Sequence, residues 1–120
     1  MGIVGSRHFS DLERVSAYVR DLPAATALVT GSASGVDAAA TRAARERGLP
    51  VHMIGASFEE ARDEGSAAQR NQRFVDSIDV LVAFWDGASS GTRGTVDRAL
   101  DSGREVHVFI SPKEGSEVGA

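Results

Sequence analysis

The chain has no cysteine among its 120 residues, which excludes disulfides, thiolate catalysis and cysteine-based zinc sites. No apolar run approaches the roughly 20 residues that a membrane span needs. The first residues show no positively charged start before an apolar stretch, so we expect no secretory signal and, by default, a cytoplasmic location. The formal net charge of −4 opposes broad attraction to nucleic acid. No residue spacing is typical of a metal site.

The length and composition are typical of one globular domain. A chain of 120 residues can enclose one core but not two. The hydrophobic content of 42% and the charged content of 25% are ordinary for such a domain. We assign residues 1–112 to the domain and residues 113–120 to a polar C-terminal tail.

Strand and helix patterns alternate along the chain. Short apolar segments at 2–5, 27–29, 51–54, 80–84 and 106–110 predict five strands. Amphipathic segments between them predict four helices, and Ser10 with Glu13 predicts a capping box at the start of the first. Residues 57–66 are expected to form a loop. Strands that alternate with helices favour an α/β doubly wound sheet of five parallel strands with helices on both faces.

Two glycine-rich turns each follow an apolar strand and open a helix. The first lies at 31–35 and the second at 87–91. At such helix starts, bare backbone N–H groups and the helix dipole favour an anion. Right-handed crossovers place every strand-to-helix turn at one sheet edge, where Gly5 and Ser6 join them. The turns therefore predict a site for a ligand that carries phosphate, such as a nucleotide.

Four motifs occur in a characteristic order: Gly5-Ser6-Arg7, Gly31-Ser32-Ala33-Ser34-Gly35-Val36-Asp37, Arg70-Asn71 and Phe84-Trp85-Asp86-Gly87-Ala88-Ser89-Ser90-Gly91-Thr92. Together they resemble the SLOG superfamily of Rossmann-like domains, specifically its small YspA-like branch. That superfamily also contains DprA-type DNA-processing proteins and lonely-guy phosphoribohydrolases. The resemblance covers residues 2–110 and implies the sheet order 3-2-1-4-5, with a nucleotide pocket over strands one, two and four.

The resemblance also implies roles for individual residues. It places phosphate near Gly91 and Thr92, with the Arg70 guanidinium reaching in from the preceding helix. It implies that the backbone at 31–35 lets a base or ribose approach closely. The expected ligand contacts are Gly5, Ser6, Arg7, Gly31, Ser32, Gly35, Asp37, Arg70, Asn71, Asp86, Gly87, Ser90, Gly91 and Thr92.

Three residues near these turns have two interpretations each. Asp37, three residues after Ser34, is expected to cap backbone N–H groups, and the alternative is a contact with a ribose hydroxyl. Asp86 is placed to meet a sugar hydroxyl or a metal-bound water, or to act as acid or base; the alternative is turn formation before Gly87. Trp85 either stacks on a base or packs against the neighbouring helix.

The phosphoribohydrolase motif is incomplete in this chain. That motif is Pro-Gly-Gly-x-Gly-Thr-x-x-Glu, and its glutamate takes part in cleaving the N-glycosidic bond. Aligning its Gly-Thr with Gly91-Thr92 places Thr95 at the glutamate position, and alignment with Gly94-Thr95 places Arg98 there. Neither residue can stabilise an oxocarbenium-like centre as a carboxylate does. The sequence therefore leans against enzymatic activity, and no catalytic residue is assigned.

Three classes of function follow from these observations. The leading hypothesis is a sensor or binding module for a nucleotide or nucleotide-derived ligand, with no further cofactor. The alternative is a nucleoside 5′-monophosphate N-glycosidase in which Asp86 replaces the missing glutamate. DNA handling of the DprA kind is least favoured because of the net charge of −4, so nucleic acid is not an expected partner.

Self-association is expected from the third and fourth helices. Their outer faces are expected to mix Phe74, Val75 and Ala99 with Arg73 and Arg98. SLOG relatives commonly form symmetric assemblies through this region, so the resemblance implies a homodimer or larger homo-oligomer. The alternative is a monomer whose helices bury those apolar residues on the sheet.

Overall fold

The computed structural model describes residues 1–6, 8–31, 35–54 and 66–110. Strands and helices alternate through these ranges, as the sequence predicts. The elements are β1 (Gly2–Gly5), α1 (Leu12–Arg20), β2 (Leu28–Thr30), α2 (Val36–Glu46), β3 (Val51–Met53), α3 (Ser66–Asp76), β4 (Val80–Trp85), α4 (Ser90–Asp101) and β5 (Glu105–Ile110). The expected site residues Arg7 and Ser32, nearly all of the expected loop at 57–66 and the tail at 113–120 lie outside the described residues.

One parallel sheet joins the five strands in the order β3-β2-β1-β4-β5, which confirms the predicted arrangement. β1 lies at the centre, with Gly2 opposite both Val29 of β2 and Leu81 of β4. The chain winds outward in one direction through β2 and β3, then returns to the other side of β1 for β4 and β5. The carboxyl ends of β1 and β4 therefore flank the topological switch point, where Rossmann-like sheets bind ligands.

Two helices cover each face of the sheet. α1 and α2 pack with Ile3 and Phe84 in one buried cluster, and α3 and α4 pack with Leu81 in the other. Leu81 and Val82 are neighbours on β4 yet belong to opposite clusters, because successive strand side chains point to opposite faces. Burial on both faces explains why the strands are almost continuously apolar. Within the described ranges, no helix has the length and apolar character needed to cross a bilayer.

Phe74, Val75 and Ala99 face the core, and the expectation that they lie on outer faces is wrong. Phe74 is only 4% exposed, and Val75 and Ala99 are fully buried. They pack against the sheet with Leu81 because the apolar stripe of each helix covers the strands rather than solvent. These apolar side chains are therefore buried within one chain and are not available as a surface for self-association.

The start of α1 also differs from the sequence prediction. Asp11, not Ser10, is the N-cap residue, and its Oδ1 accepts a hydrogen bond from the Arg14 N–H at 3.1 Å. Both residue types are good N-caps, and the helix begins one residue later than the capping box requires. β2 is shifted by one residue from the expected 27–29, and β4 extends one residue further than expected. Thr30 and Trp85 belong to these strands because they pair with Met53 and Ile110 on the neighbouring strands.

Close packing at Gly5 sets α2 against the end of β1. A Cβ atom at Gly5 would lie 2.5 Å from Cγ2 of Val36, the first residue of α2. Only glycine permits this approach. The N-terminus of α2 therefore reaches the same sheet edge as the N-terminus of α4.

Candidate functional site

A crevice of about 540 Å³ opens at the carboxyl edge of the sheet, over the switch point. The ends of β1, β2 and β3 form its floor, and the first turns of α2 and α4 and the middle of α3 form its walls. The lining residues are Val4, Gly5, Ser6, Gly31, Asp37, Ile54, Arg70, Asn71, Phe74, Ser89, Gly91, Thr92 and Thr95.

The first turn of α4 presents backbone N–H groups to this crevice. The first helical bond runs from the Arg93 N–H to the Ser89 carbonyl at 3.3 Å, so the N–H groups of Ser90, Gly91 and Thr92 precede it. Ser89 is the N-cap residue, but its side chain makes no capping bond. Gly91 carries no side chain to shield its own N–H. Within the described ranges these three N–H groups meet no acceptor, and the positive end of the helix dipole lies at the crevice.

Ser6 explains why the Ser89 hydroxyl does not cap the helix. The two hydroxyl oxygens lie 2.8 Å apart, and Ser6 Oγ also accepts the Asp86 N–H at 2.9 Å. Ser6 is almost completely buried, at 1% exposure. A single side chain at the end of β1 thus fixes both ends of the turn between β4 and α4.

Asp86 shapes the same turn from within. Its Oδ1 accepts hydrogen bonds from the N–H groups of Ala88 and Ser89, each at 2.8 Å. Gly87 has a φ of +84°, a conformation that side chains rarely adopt. The Trp85 indole Nε1 donates to the Ser89 carbonyl at 3.0 Å, so this ring lies against the turn. The turn-forming interpretation of Asp86 is what the structure shows.

Arg70 and Asn71 approach the crevice from α3. Both are half-buried and line the crevice together with the first turn of α4. In the described part of the chain, no carboxylate forms an ion pair with the Arg70 guanidinium. Phe74, one turn further along α3, closes the crevice beneath them. A positive group and apolar surface therefore share one wall.

Asp37 is the only carboxylate among the described lining residues of this crevice. It lies in the first turn of α2, where the helix dipole favours negative charge, and it is 8% exposed. A Cβ atom at Gly31 would lie 2.6 Å from Asp37 Oδ2, so the carboxylate is set directly against the Gly31 backbone. Asp37 lies both in the first turn of α2 and on the wall of the crevice. Its position is therefore compatible with capping of backbone N–H groups and with a contact to a ribose hydroxyl.

The structure brings some of the expected contact residues together and separates others. Those that line the crevice are Gly5, Ser6, Gly31, Asp37, Arg70, Asn71, Gly91 and Thr92. Those that do not line it are Gly35, Asp86, Gly87 and Ser90. Gly35 instead precedes α2 with a φ of +72°. Asp86 and Gly87 build the turn that places Ser89.

Sequence reasoning missed Ser89 and Thr95, which line the crevice. A serine directly before a predicted helix is a good N-cap, and this signal marks Ser89 as part of the site. Thr95 lies four residues after Gly91, and that spacing brings it onto the same face of α4. It is buried, and its Oγ1 donates to the Gly91 carbonyl at 3.2 Å.

Of the two residues aligned with the phosphoribohydrolase glutamate, only Thr95 lines the crevice. The Arg98 Nη1 instead donates to Gln72 Oε1 at 3.2 Å. Asp97 is exposed and lies 3.9 Å from the Arg93 Nε. Among the residues that the structure describes, none of the carboxylates on α4 enters the crevice.

The fold and the crevice define a Rossmann-like α/β domain with an open site at its switch point. The chain matches no protein-family model, and a comparison with curated proteins finds no match. The resemblance to the SLOG superfamily therefore stays a prediction from the four motifs. In the described residues, no three histidine or carboxylate side chains are grouped so that they could hold a metal ion.

Proposed function

We propose that the protein binds a nucleotide or nucleotide-derived small molecule in this crevice and acts as a sensor or binding module. The observation that carries the proposal is the start of α4. There the Ser89 hydroxyl is hydrogen-bonded to the Ser6 hydroxyl and does not cap its own helix. Among the described residues the N–H groups of the first turn meet no acceptor, and Arg70 lines the same crevice. Phosphate supplies both the acceptor oxygens and the negative charge.

The hydroxyl pair supports a further donor to the phosphate. Ser6 is buried, and among the described residues the acceptor that its hydroxyl meets is Ser89. Since Ser6 Oγ already accepts the Asp86 N–H, its own proton is best placed on the bond to Ser89. The Ser89 proton is then directed away from Ser6 and available to a ligand oxygen.

The apolar part of the crevice favours a nucleotide over free phosphate. Val4, Ile54 and Phe74 give the wall an apolar surface next to the polar helix start. A volume of about 540 Å³ lies in the range of small-molecule sites, which run from roughly 300 to 1,000 Å³. A base or ribose can therefore pack beside the phosphate.

The alternative function is hydrolysis of a nucleoside 5′-monophosphate at its N-glycosidic bond. Asp37 is the observation that favours it, because this buried carboxylate lines the crevice where the Asp86 carboxylate does not. A carboxylate beside the sugar can stabilise an oxocarbenium-like centre. Thr95 or Arg98 at the position of the glutamate argues for the binding module.

Calorimetric titration with the four common nucleoside 5′-monophosphates tests the proposal. We expect at least one of these nucleotides to bind. The Arg70→Gln substitution is expected to weaken its binding by about 1.5–3 kcal/mol, the scale of a hydrogen bond to a charged group. Arg73→Gln is the matched control, because Arg73 lies on the same helix and does not line the crevice. Equal affinities for the Arg70 and Arg73 variants would exclude Arg70 as a phosphate ligand. Mass spectrometry of small molecules that co-purify with the protein would identify the natural ligand.

A further inference from the structure

A second groove of about 590 Å³ adjoins the crevice along the edge of the domain. The two cavities share Gly31 and Asp37, so they meet at the end of β2. From there the groove follows one face of α2 and is closed by Met53 at the end of β3. Its further lining residues are Ala38, Thr41, Arg42, Arg45 and Glu46.

Two arginines line this groove and bring positive charge to it. Arg42 and Arg45 are three residues apart on α2 and share its groove-facing side. Within the described ranges, neither forms an ion pair with a carboxylate. The Arg45 Nη2 lies 3.7 Å from the Met53 Sδ, which is a weak acceptor. Two arginine side chains, both on exposed residues, therefore line the same groove, where they can bind an anion.

Glycine at residue 31 leaves room for the Asp37 carboxylate at the boundary between the cavities. A Cβ atom there would meet Asp37 Oδ2 at 2.6 Å. A ligand that spans both cavities therefore meets a carboxylate at the boundary, which suits a sugar hydroxyl and not a phosphate group. Thr41 does not compete for such a ligand, because its Oγ1 is paired with Thr30 Oγ1 at 2.8 Å in the buried layer below.

We propose that the ligand carries two separated phosphate groups, one against the start of α4 and the other against Arg42 and Arg45. This inference rests on the proposed function, since it takes the crevice as the first phosphate site. A 5′-phosphorylated dinucleotide is the class that fits, because its two phosphates are held apart by a nucleoside.

The length of α2 argues against more compact anions. At 1.5 Å of rise per residue, Arg42 and Arg45 lie about 7–12 Å along the helix axis from Asp37 at the boundary. A pyrophosphate group joins its two phosphorus atoms through one oxygen and cannot reach both cavities. The carboxylate of Glu46 at the far end of the groove repels a third anionic group. The groove therefore selects one phosphate beyond the first nucleoside.

Calorimetric titration with 5′-phosphorylated dinucleotides of A, C, G and U, beside the matching monophosphates, tests this inference. We expect the double variant Arg42→Gln/Arg45→Gln to weaken dinucleotide binding by about tenfold or more, and monophosphate binding by less than about twofold. Arg14→Gln/Arg20→Gln on α1 is the control, since it removes the same charge away from both cavities.

The pattern across variants separates the two proposals. If Arg70→Gln weakens the binding of both monophosphates and dinucleotides, the crevice binds phosphate. If the Arg42/Arg45 variant then changes neither affinity, the proposal of a second phosphate site is wrong. If neither the monophosphates nor the dinucleotides bind, the proposed function fails and the two-phosphate ligand fails with it. If the Arg42/Arg45 variant and the α1 control lose the same affinity for both kinds of nucleotide, the effect comes from net charge. That result would also overturn the inference.

Discussion

The hydroxyl oxygens of Ser6 and Ser89 lie 2.8 Å apart, although 83 positions separate the two residues in the chain. This bond joins the central strand β1 to the turn that opens α4. Because Ser6 also accepts the Asp86 N–H, the position of the α4 N-terminus relative to the sheet depends on one buried hydroxyl.

Removal of that hydroxyl is expected to affect both stability and binding. Ser6→Ala leaves the Asp86 N–H without its acceptor and frees the Ser89 side chain. We expect a loss of about 1–3 kcal/mol in the free energy of unfolding, measured by urea denaturation, and weaker nucleotide binding by calorimetry. Ser16→Ala on α1 is the control, because Ser16 is away from the crevice. Full stability in the Ser6 variant would show that the α4 turn holds its position without this hydroxyl.

Two glycines are expected to respond to alanine in opposite directions. Gly5→Ala places a methyl group 2.5 Å from Val36 Cγ2, and we expect a destabilisation of about 1–3 kcal/mol from overpacking. Gly94→Ala meets no atom within 4 Å and lies inside α4, so we expect it to stabilise the fold by about 0.5–1 kcal/mol. Thermal unfolding of both variants checks the pair. The Gly5→Ala/Val36→Ala double variant is expected to recover part of the loss, and an unchanged Gly5→Ala midpoint would contradict the close contact.

We expect no release of free base from nucleoside 5′-monophosphates. The reason is that either alignment of the phosphoribohydrolase motif places a residue other than a carboxylate, Thr95 or Arg98, at the position of its glutamate. Chromatography of adenosine, cytidine and guanosine monophosphates after incubation with the protein measures this directly. Turnover that is lost in Asp37→Asn or Asp86→Asn but kept in Thr95→Ala would favour the enzyme and reject the binding module.

Self-association stays a prediction, and the structure leaves a different surface for it. Leu100, Val108 and Ile110 are 57%, 40% and 54% exposed on α4 and β5. We expect a dimer by light scattering at micromolar concentration, and a monomer for Leu100→Lys if this surface is used. Leu12→Lys on α1 is the control, because Leu12 is 40% exposed on another element. A monomeric mass for the unmodified protein, with and without nucleotide, would reject the dimer.

The strands were predictable because burial on both faces makes each one an apolar segment bounded by polar turns. The start of α1 was not, since Ser10 and Asp11 are both suitable caps and tertiary packing decides between them. The helical spacing of apolar residues places Phe74 and Val75 close to one apolar stripe of α3. It does not say how much of that stripe the sheet covers. Arg42 and Arg45 look in sequence like solvated helix residues, and only the packing of α2 beside β3 makes them the wall of a groove.

The crevice is lined by Ser6, Arg70 and Ser89, which come from three distant parts of the chain. An unfolded chain cannot present them together, so a ligand that binds here binds the native state alone. By mass action, such a ligand present at 100 times its dissociation constant adds about 2.7 kcal/mol to the free energy of unfolding. The melting temperature of the protein is therefore itself an assay, with which a library of nucleotides can be screened before the natural ligand is known.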